Sequence, residues 1–348
     1  MARELGRDHH VTVYARRTNA EGKPKTRVAP GVTVEHIDVG PAVDLTPADV
    51  APYLNDFGEY LTKRWRQDRP DVIHAHSWTG GLAAVAGAKD LDVPVAHTFH
   101  TVDPARVNLE RALGRRARAV IAGSGDEESA LIRIGVPRNH IAVVPYGVDT
   151  ERFHRQGVTA SRGTTKRLVH VGPLSPERGA LTIVRALQGL PDVELVLAGG
   201  PTPEELHDDL DAQRLRELAE QLGVASRVTL LGQVKRAAVP KLMRSADAVV
   251  TVPREAPTGI VALEAMACGV PVIASSVGAH LDSVIDGVTG LLVPPDRPSR
   301  TARLARELLT DPTLRTALGY AAADRARSRY SWERVSQELV RVYEAACA

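Results

Sequence analysis

The sequence predicts an α/β protein built as two doubly wound domains that face a cleft. Three observations carry this. Short apolar strands alternate with amphipathic helices along nearly the whole chain. The alternation pauses once, in the polar stretch 151–165, and then restarts. The chain has 348 residues, a length that suits two domains better than one. Strands and helices in this rhythm form parallel sheets wrapped by helices, and ligands then bind beyond the carboxyl ends of the strands.

In the first half, Met1 to Gly6 reads as the tail of a helix. Strands are expected at Val11–Tyr14, Val32–Val34 with Ile37, Asp71–His76, Val93–His100, Ala119–Ala122 and Ile141–Val144. Helices are expected at Val50–Gln67, Leu82–Lys89, Leu109–Arg118 and Glu127–Ile134. This domain runs from 1 to 150, residues 151–165 are a linker, and the second domain runs from 166 to 330. Its strands are Arg167–Val171, Glu194–Ala198, Arg227–Leu231, Ala248–Val252, Pro271–Ala274 and Gly290–Val293. Its helices are Ala180–Gln188, Glu204–Leu222, Val239–Ser245, Gly259–Ala267, Pro298–Leu309 and Pro312–Ser328. A last helix begins at Ser331. The two halves repeat an architecture, not a sequence.

Bulk properties exclude several classes of function. A formal net charge of +2 calls for no nucleic acid. Cys268 and Cys347 are the two cysteines, with neither a disulfide framework nor a metal spacing, which fits a reducing cytoplasm. No apolar run is long enough to span a bilayer, and no signal peptide is visible. The basic runs Lys63–Arg66 and Arg111–Arg118 read as solvated faces. The rival reading makes them a peripheral contact at the inner membrane face, for an anionic lipid acceptor.

The most informative stretch is Thr251–Ser275, TVPREAPTGIVALEAMACGVPVIAS. It reads as a strand end, a Pro-rich loop, a helix opened by Gly259, and a further strand. Glu264 is the one acid on that apolar helix. A helix N-terminus suits an anion, and an acid one turn further in suits sugar hydroxyls. The bland alternative is a buried acid with a local partner. Upstream, the strand Leu168–Val171 runs into Gly172-Pro-Leu-Ser-Pro-Glu-Arg-Gly179. Its glycines let backbone approach a phosphate, and Arg178 adds a cation. In the first half His74, His76 and His100 all lie at strand carboxyl ends. Any one alone is more often structural, but together they point to one cleft. The pair Asp209 and Asp211 lies in a polar helical run far from any strand end, so no metal site is assigned to it.

These residues resemble a family. They include Val72-Ile-His-Ala-His76, Thr98-Phe-His-Thr101, Val144-Pro-Tyr-Gly-Val-Asp149, Arg178-Gly179, Leu197-Ala-Gly-Gly200, Gly232-Gln-Val234, Ser245-Ala-Asp247 and Gly259–Ser275. Asp286-Gly287, Gly290–Pro294 and Tyr330-Ser-Trp332 complete the set. The chain resembles the retaining glycosyltransferases of family four, with the GT-B fold of two Rossmann-like domains. Trehalose-related, mycothiol-pathway, phosphatidylinositol mannosyl and sucrose-type transferases are among them. The resemblance implies a metal-independent hexosyltransferase. A nucleotide-diphosphate sugar, chiefly a UDP-sugar, would bind on the second domain and a small-molecule or lipid acceptor on the first. The final helix, 331–346, would join the first domain.

Carried over, Glu264 would hold ribose hydroxyls, and Gly232, Gln233 and Val234 would line the base. Gly172 and Arg178 would meet the diphosphate, and the backbone at Gly259 and Ile260 the phosphate or sugar. His100 and Arg178 would be the catalytic pair, with His74, His76 and Trp78 on the acceptor side. The sequence departs from the family pattern in three places. Ala256 stands where the family has a sugar-contacting Glu, and Glu255 is one residue early. Pro173 replaces the usual Arg after the strand glycine. The chain also starts where the family's first helix ends, so its first strand is missing. We expect an upstream segment, or a partner or second chain, to fill that place. The departures keep open a catalytically impaired binding protein of the same fold. An epimerase or inverting transferase is a further alternative, against which Glu264 argues.

Overall fold

The computed structural model describes all 348 residues and divides into two compact units. One comprises Met1–Pro145 with Trp332–Ala348, the other Tyr146–Ser331.

The first unit opens with α1 (Ala2–Leu5), β1 (Val11–Arg16), β2 (Lys25–Ala29) and β3 (Val32–Ile37). β1 and β3 run parallel, and β2 returns antiparallel along β3. The sequence reading lacked β2, because its residues are mostly polar and exposed. Next come α2 (Pro47–Val50), α3 (Leu54–Gln67), β4 (Ile73–His76), α4 (Ser77–Gly87), β5 (Val95–Thr98), α5 (Val107–Arg116), β6 (Ala119–Ala122), α6 (Gly125–Arg133) and β7 (Ile141–Val143). β4 to β7 form a parallel sheet in chain order. It shares no strand pairing with the β1-β3-β2 sheet, so β1 and β4 are both end strands. Tyr14, Ile37 and Ile73 nevertheless lie in one apolar cluster with Leu61 and Trp65 of α3. The C-terminal helix Trp332–Cys347 buries Val335, Leu339 and Ala346 with Ala96, Ala119 and Ile121 of β5 and β6. Part of the basic runs is used internally. Arg64 pairs with Glu35 and Asp68, while Arg111 and Arg115 donate to the carbonyls of Ile134 and Gly135.

The second unit contains β8 (Lys166–Val171), α7 (Ala180–Ala186), β9 (Val193–Ala198), α8 (Leu210–Gln221), β10 (Val228–Gly232), α9 (Val239–Arg244) and β11 (Ala248–Thr251). It continues with α10 (Ile260–Ala267), β12 (Val272–Ser275), α11 (Ala279–Ser283), β13 (Leu291–Val293), α12 (Pro298–Thr310) and α13 (Pro312–Tyr330). The sheet is wholly parallel, in the order β10-β9-β8-β11-β12-β13. Side chains alternate between its faces: Leu168, Leu195 and Val250 enter one core cluster, Val169, Val196 and Val249 the other. The chain order reverses between β8 and β11, so the loops leaving these two strands diverge to opposite faces. The crevice between them is where such sheets bind ligands.

Two segments differ from the sequence reading. Residues 151–165 do not form a free linker but cluster with the second unit. Phe153 is fully buried, the Ala160 N–H donates to the Lys241 carbonyl at 2.9 Å, and Arg162 reaches Asp247 at 2.9 Å. The polar composition hid one large aromatic anchor. The helix expected over 204–222 breaks into a short 3-10 turn, Glu205–His207, and α8. Asp209 causes the break by capping α8, accepting the Ala212 N–H at 2.8 Å. Asp211 pairs with Arg214 on the helix surface.

Asp247, buried before β11, ties this unit together. It accepts from the Arg167 backbone N–H and from Arg162, both at 2.9 Å, with Lys166 and Arg315 within 4 Å. Burial pushes its carboxyl up, but the Arg167 N–H, Arg162 and Lys166 outweigh that and hold it below the usual carboxylate range. Its stabilisation is therefore complete above the unfolded carboxylate pKa of about 3.9 and lost as pH falls through the depressed folded value. Asp247→Asn is expected to lower stability by about 2–4 kcal/mol at pH 7, and by much less near pH 2. Urea unfolding followed by circular dichroism checks this; equal midpoints at pH 7 would contradict it.

Candidate active site

In the second unit the glycines of the exit loops are held by close backbone approach. Gly179 precedes α7 with φ +90°, and a Cβ there would lie 2.3 Å from the Val252 carbonyl oxygen. A Cβ on Gly199 would lie 2.0 Å from the Gly172 carbonyl oxygen. These contacts bring the loops after β8, β9 and β11 together, and only glycine permits them. The Arg254 N–H donates to the Glu177 carbonyl at 2.9 Å and adds a further link. Arg178 closes the short turn Pro176–Arg178 and is exposed beside Gly179. Gly259 caps α10 in the left-handed conformation, φ +58°, and a Cβ there would press on Ala279 and His280 at 3.3 Å. Ile260, the first residue of α10, is half-buried.

Glu264 lies one turn into α10 and is 1% exposed. Burial pushes its carboxyl above the usual range, against the pull of Arg236. Arg236 Nη2 donates to its Oε1. The guanidinium also lies over the ring of Phe153, 4.7 Å from the centroid. Arg236 comes from the loop after β10, the same loop as Gly232, Gln233 and Val234. Gly232 is buried with φ +67°, the Gln233 N–H donates to the Pro201 carbonyl at 2.7 Å, and Val234 packs on the core. The predicted nucleotide-side residues thus sit on linked loops at the carboxyl ends of one sheet. Ala256 is buried, and its carbonyl accepts the Ala279 N–H at 2.8 Å. Glu255, its neighbour in the chain, is exposed.

In the first unit the three predicted histidines meet. His76 Nδ1 lies 3.1 Å from His100 Nε2, and their rings stack at 5.2 Å. His74 stacks on His76 at 4.3 Å and is held by the Tyr343 hydroxyl at 2.6 Å and the Thr98 hydroxyl at 2.8 Å. His100 is itself in the left-handed region, φ +70°, unusual for a residue with a side chain. Two participants escaped the sequence reading. His97 is buried with Nε2 2.9 Å from the Ser77 carbonyl oxygen. Tyr343 arrives from the far end of the chain, and no local signal marks it. Trp78 is half-buried against the apolar cluster that includes Leu113 and Val120, with Arg106 over its ring.

Comparisons with known proteins identify the family and the fold. The family described as glycosyl transferases group 1 matches residues 151–325, and glycosyltransferase family 4 matches residues 1–152. A D-inositol 3-phosphate glycosyltransferase of Xylanimonas cellulosilytica is 31% identical, over 98% of this chain and 88% of its own. That of Streptomyces avermitilis is 30% identical, over 97% of this chain and 79% of its own. Among solved structures, sucrose-phosphate synthase of Thermosynechococcus elongatus superposes with a TM-score of 0.88 at 25% identity, covering 99% of this chain and 91% of that one. The Anabaena protein HepE in complex with UDP and glucose shares the fold, with a TM-score of 0.76 at 21% identity, covering 97% and 100%. The chain belongs to the family-four glycosyltransferases with the GT-B fold, and it is a glycosyltransferase.

Burial lowers the affinity of all four histidines for protons, and the charge each would place on its neighbours adds to this for His74, His76 and His97. His76 and His97 fall from 6.5 to about 4. A histidine that is neutral when folded contributes fully above pH 6.5 and loses that contribution as pH drops toward 4. All three tryptophans, Trp65, Trp78 and Trp332, belong to this unit, so their fluorescence reports on it. The urea midpoint seen by fluorescence is expected to fall between pH 6.5 and pH 4, and to fall less in His76→Asn. Parallel pH profiles for the two proteins would contradict the assignment.

Proposed function

We propose that this glycosyltransferase moves a hexosyl group from a nucleotide-diphosphate sugar to an acceptor hydroxyl, with retention of configuration and without a metal ion. The observation that carries the reading is Glu264, a buried acid on an otherwise apolar helix capped by a left-handed glycine. Its carboxylate suits a vicinal diol such as that of ribose, and the loop Gly232–Val234 suits the base. A UDP-sugar is the donor we favour, supported by the shared fold with HepE, which was solved with UDP and glucose. The D-inositol 3-phosphate relatives favour a small-molecule acceptor over a lipid. The resemblance and the reducing-type cysteine usage support a cytoplasmic enzyme. No helix is long and apolar enough to cross a membrane.

In this reading the bond from the anomeric carbon to the diphosphate oxygen breaks as the acceptor oxygen bonds to the same carbon. Attack comes from the leaving-group face, and the acceptor proton passes to a diphosphate oxygen. The leaving diphosphate gains charge in the transition state. Arg178 and the backbone N–H groups at Gly259 and Ile260 answer that charge, which makes them rate-enhancing and not merely adhesive. The resemblance assigns His100 to the donor sugar, and burial lowers its affinity for protons. The small Ala256 leaves the sugar end without an acid, which suits a donor lacking one hydroxyl, such as a deoxy or amino sugar. Ala256 together with Pro173 also supports a second reading, a nucleotide-binding protein that has lost turnover.

A panel of UDP-, GDP- and ADP-sugars with inositol phosphates and sugar phosphates as acceptors separates the two. Acceptor-dependent nucleotide diphosphate release that survives EDTA, with an axial or equatorial linkage unchanged from donor to product by NMR, is the expected result. Arg178→Ala is expected to lower kcat by about 100-fold or more. Nucleotide binding without release from any donor would favour the second reading.

A further inference from the structure

Glu264 is almost fully buried, yet its partner is not: the Arg236 side chain is 53% exposed. The two come from different elements, α10 and the loop after β10. Burial alone would drive a proton onto the carboxyl, and Arg236 is the group that opposes this most strongly. Arg152 is the other nearby cation, but it pairs with Asp149 at 3.7 Å, and Asp149 opposes it. Arg236 is also fixed from its other side. Its guanidinium carbon lies over Phe153, a fully buried ring, so the cation has a second point of attachment besides Glu264. The ion pair engages Oε1 alone, and the carboxylate makes no other side-chain hydrogen bond. Oε2 therefore remains an acceptor of defined direction.

We propose that Arg236 is a positioning residue for nucleotide recognition: it fixes the orientation and charge of Glu264, so that selectivity for ribose depends on a side chain that does not itself touch the ribose. The inference rests on the reading of Glu264 as the ribose acid. It also links two parts of the site. Arg236 lies two residues beyond Val234, so a shift of the base-side loop moves the cation that orients the ribose-side acid. A neutral, freely rotating acid would still accept one hydroxyl but would lose its preference for a diol. A purely structural ion pair would support the loop without affecting that preference.

The test is calorimetry on the full chain with UDP, GDP and ADP, followed by the 2′,3′-dideoxy form of whichever binds most tightly. The wild type is expected to prefer the ribose form by about 10-fold or more. Glu264→Gln is expected to abolish most of that preference. Arg236→Met should reduce it by about 5-fold or more while changing the affinity for the dideoxy form by less than about 2-fold. Arg236→Lys, which keeps the charge but not the planar fork, should recover part of it. If Glu264→Gln keeps the preference, or no nucleotide binds, the ribose reading fails and the inference falls with it. If Glu264→Gln loses the preference and Arg236→Met keeps it, the ribose reading stands and Arg236 has no positioning role. Equal loss of both ligands in Arg236→Met would mean that Arg236 supports the loop or touches the nucleotide directly, and would also overturn the proposal.

Discussion

A parallel sheet must be covered on both faces, because its crossover helices leave no face for water. In the second unit this constraint fixes nearly everything else. The strands become continuous apolar runs, and their side chains divide between two buried clusters. Polar chemistry is then confined to the strand ends. The reversal between β8 and β11 opens one gap at the carboxyl ends; Gly172, Arg178, Gly259 and Ile260 lie on the segments that leave these two strands, and Gly232–Val234 follow the edge strand β10 at the same end of the sheet. Function sits there because the core admits it nowhere else.

The two buried carboxylates of this unit show how structure and function treat the same group differently. Asp247 has a backbone N–H and several cations around it, and its carboxyl is held below the usual range. It is satisfied in excess, as a fastening should be. Glu264 has one strong partner and is held above the usual range. A carboxyl with a single strong partner retains acceptor capacity for a ligand, whereas one ringed by donors retains little. Acidic identity alone, as read along the chain, cannot separate the two cases; the number and origin of the partners can.

What was legible in the sequence follows the same division. Elements governed by local periodicity were visible: the strands of the second sheet and the helix carrying Glu264. The glycines at 172, 179 and 259 and the histidines at 74, 76 and 100 were visible because each marks a strand end or helix start. Features made by distant residues were not. β2 is an exposed strand whose existence depends on pairing with β3, so it has no apolar alternation to announce it. α11 is only five residues long, too short for a periodic pattern. Tyr343 meets His74 across 269 positions, and Arg236 meets Glu264 across 28, so neither partner was legible. Phe153 sat in a polar stretch and looked like linker, although it is the ring on which Arg236 rests. The common cause is that sequence shows which residues can be buried, but not which loops the fold will bring together.

The departures at Ala256 and Pro173 acquire a physical meaning against this background. Both remove a charged side chain, and Pro173 also gives up a backbone N–H. The contacts that shape the loops are main-chain approaches: Gly179 against Val252, Gly199 against Gly172, and Gly278 against Ala256, where a Cβ would come within 2.4 Å of a carbonyl oxygen. Loops locked in this way keep their form whichever side chains project from them. On the proposed reading, the nucleotide end persists through backbone N–H groups, Arg178 and the Arg236–Glu264 pair, while the sugar end varies. The residue at 256 contributes its carbonyl to this scaffold, accepting the Ala279 N–H and meeting Gly278, and any residue at that position supplies the same carbonyl.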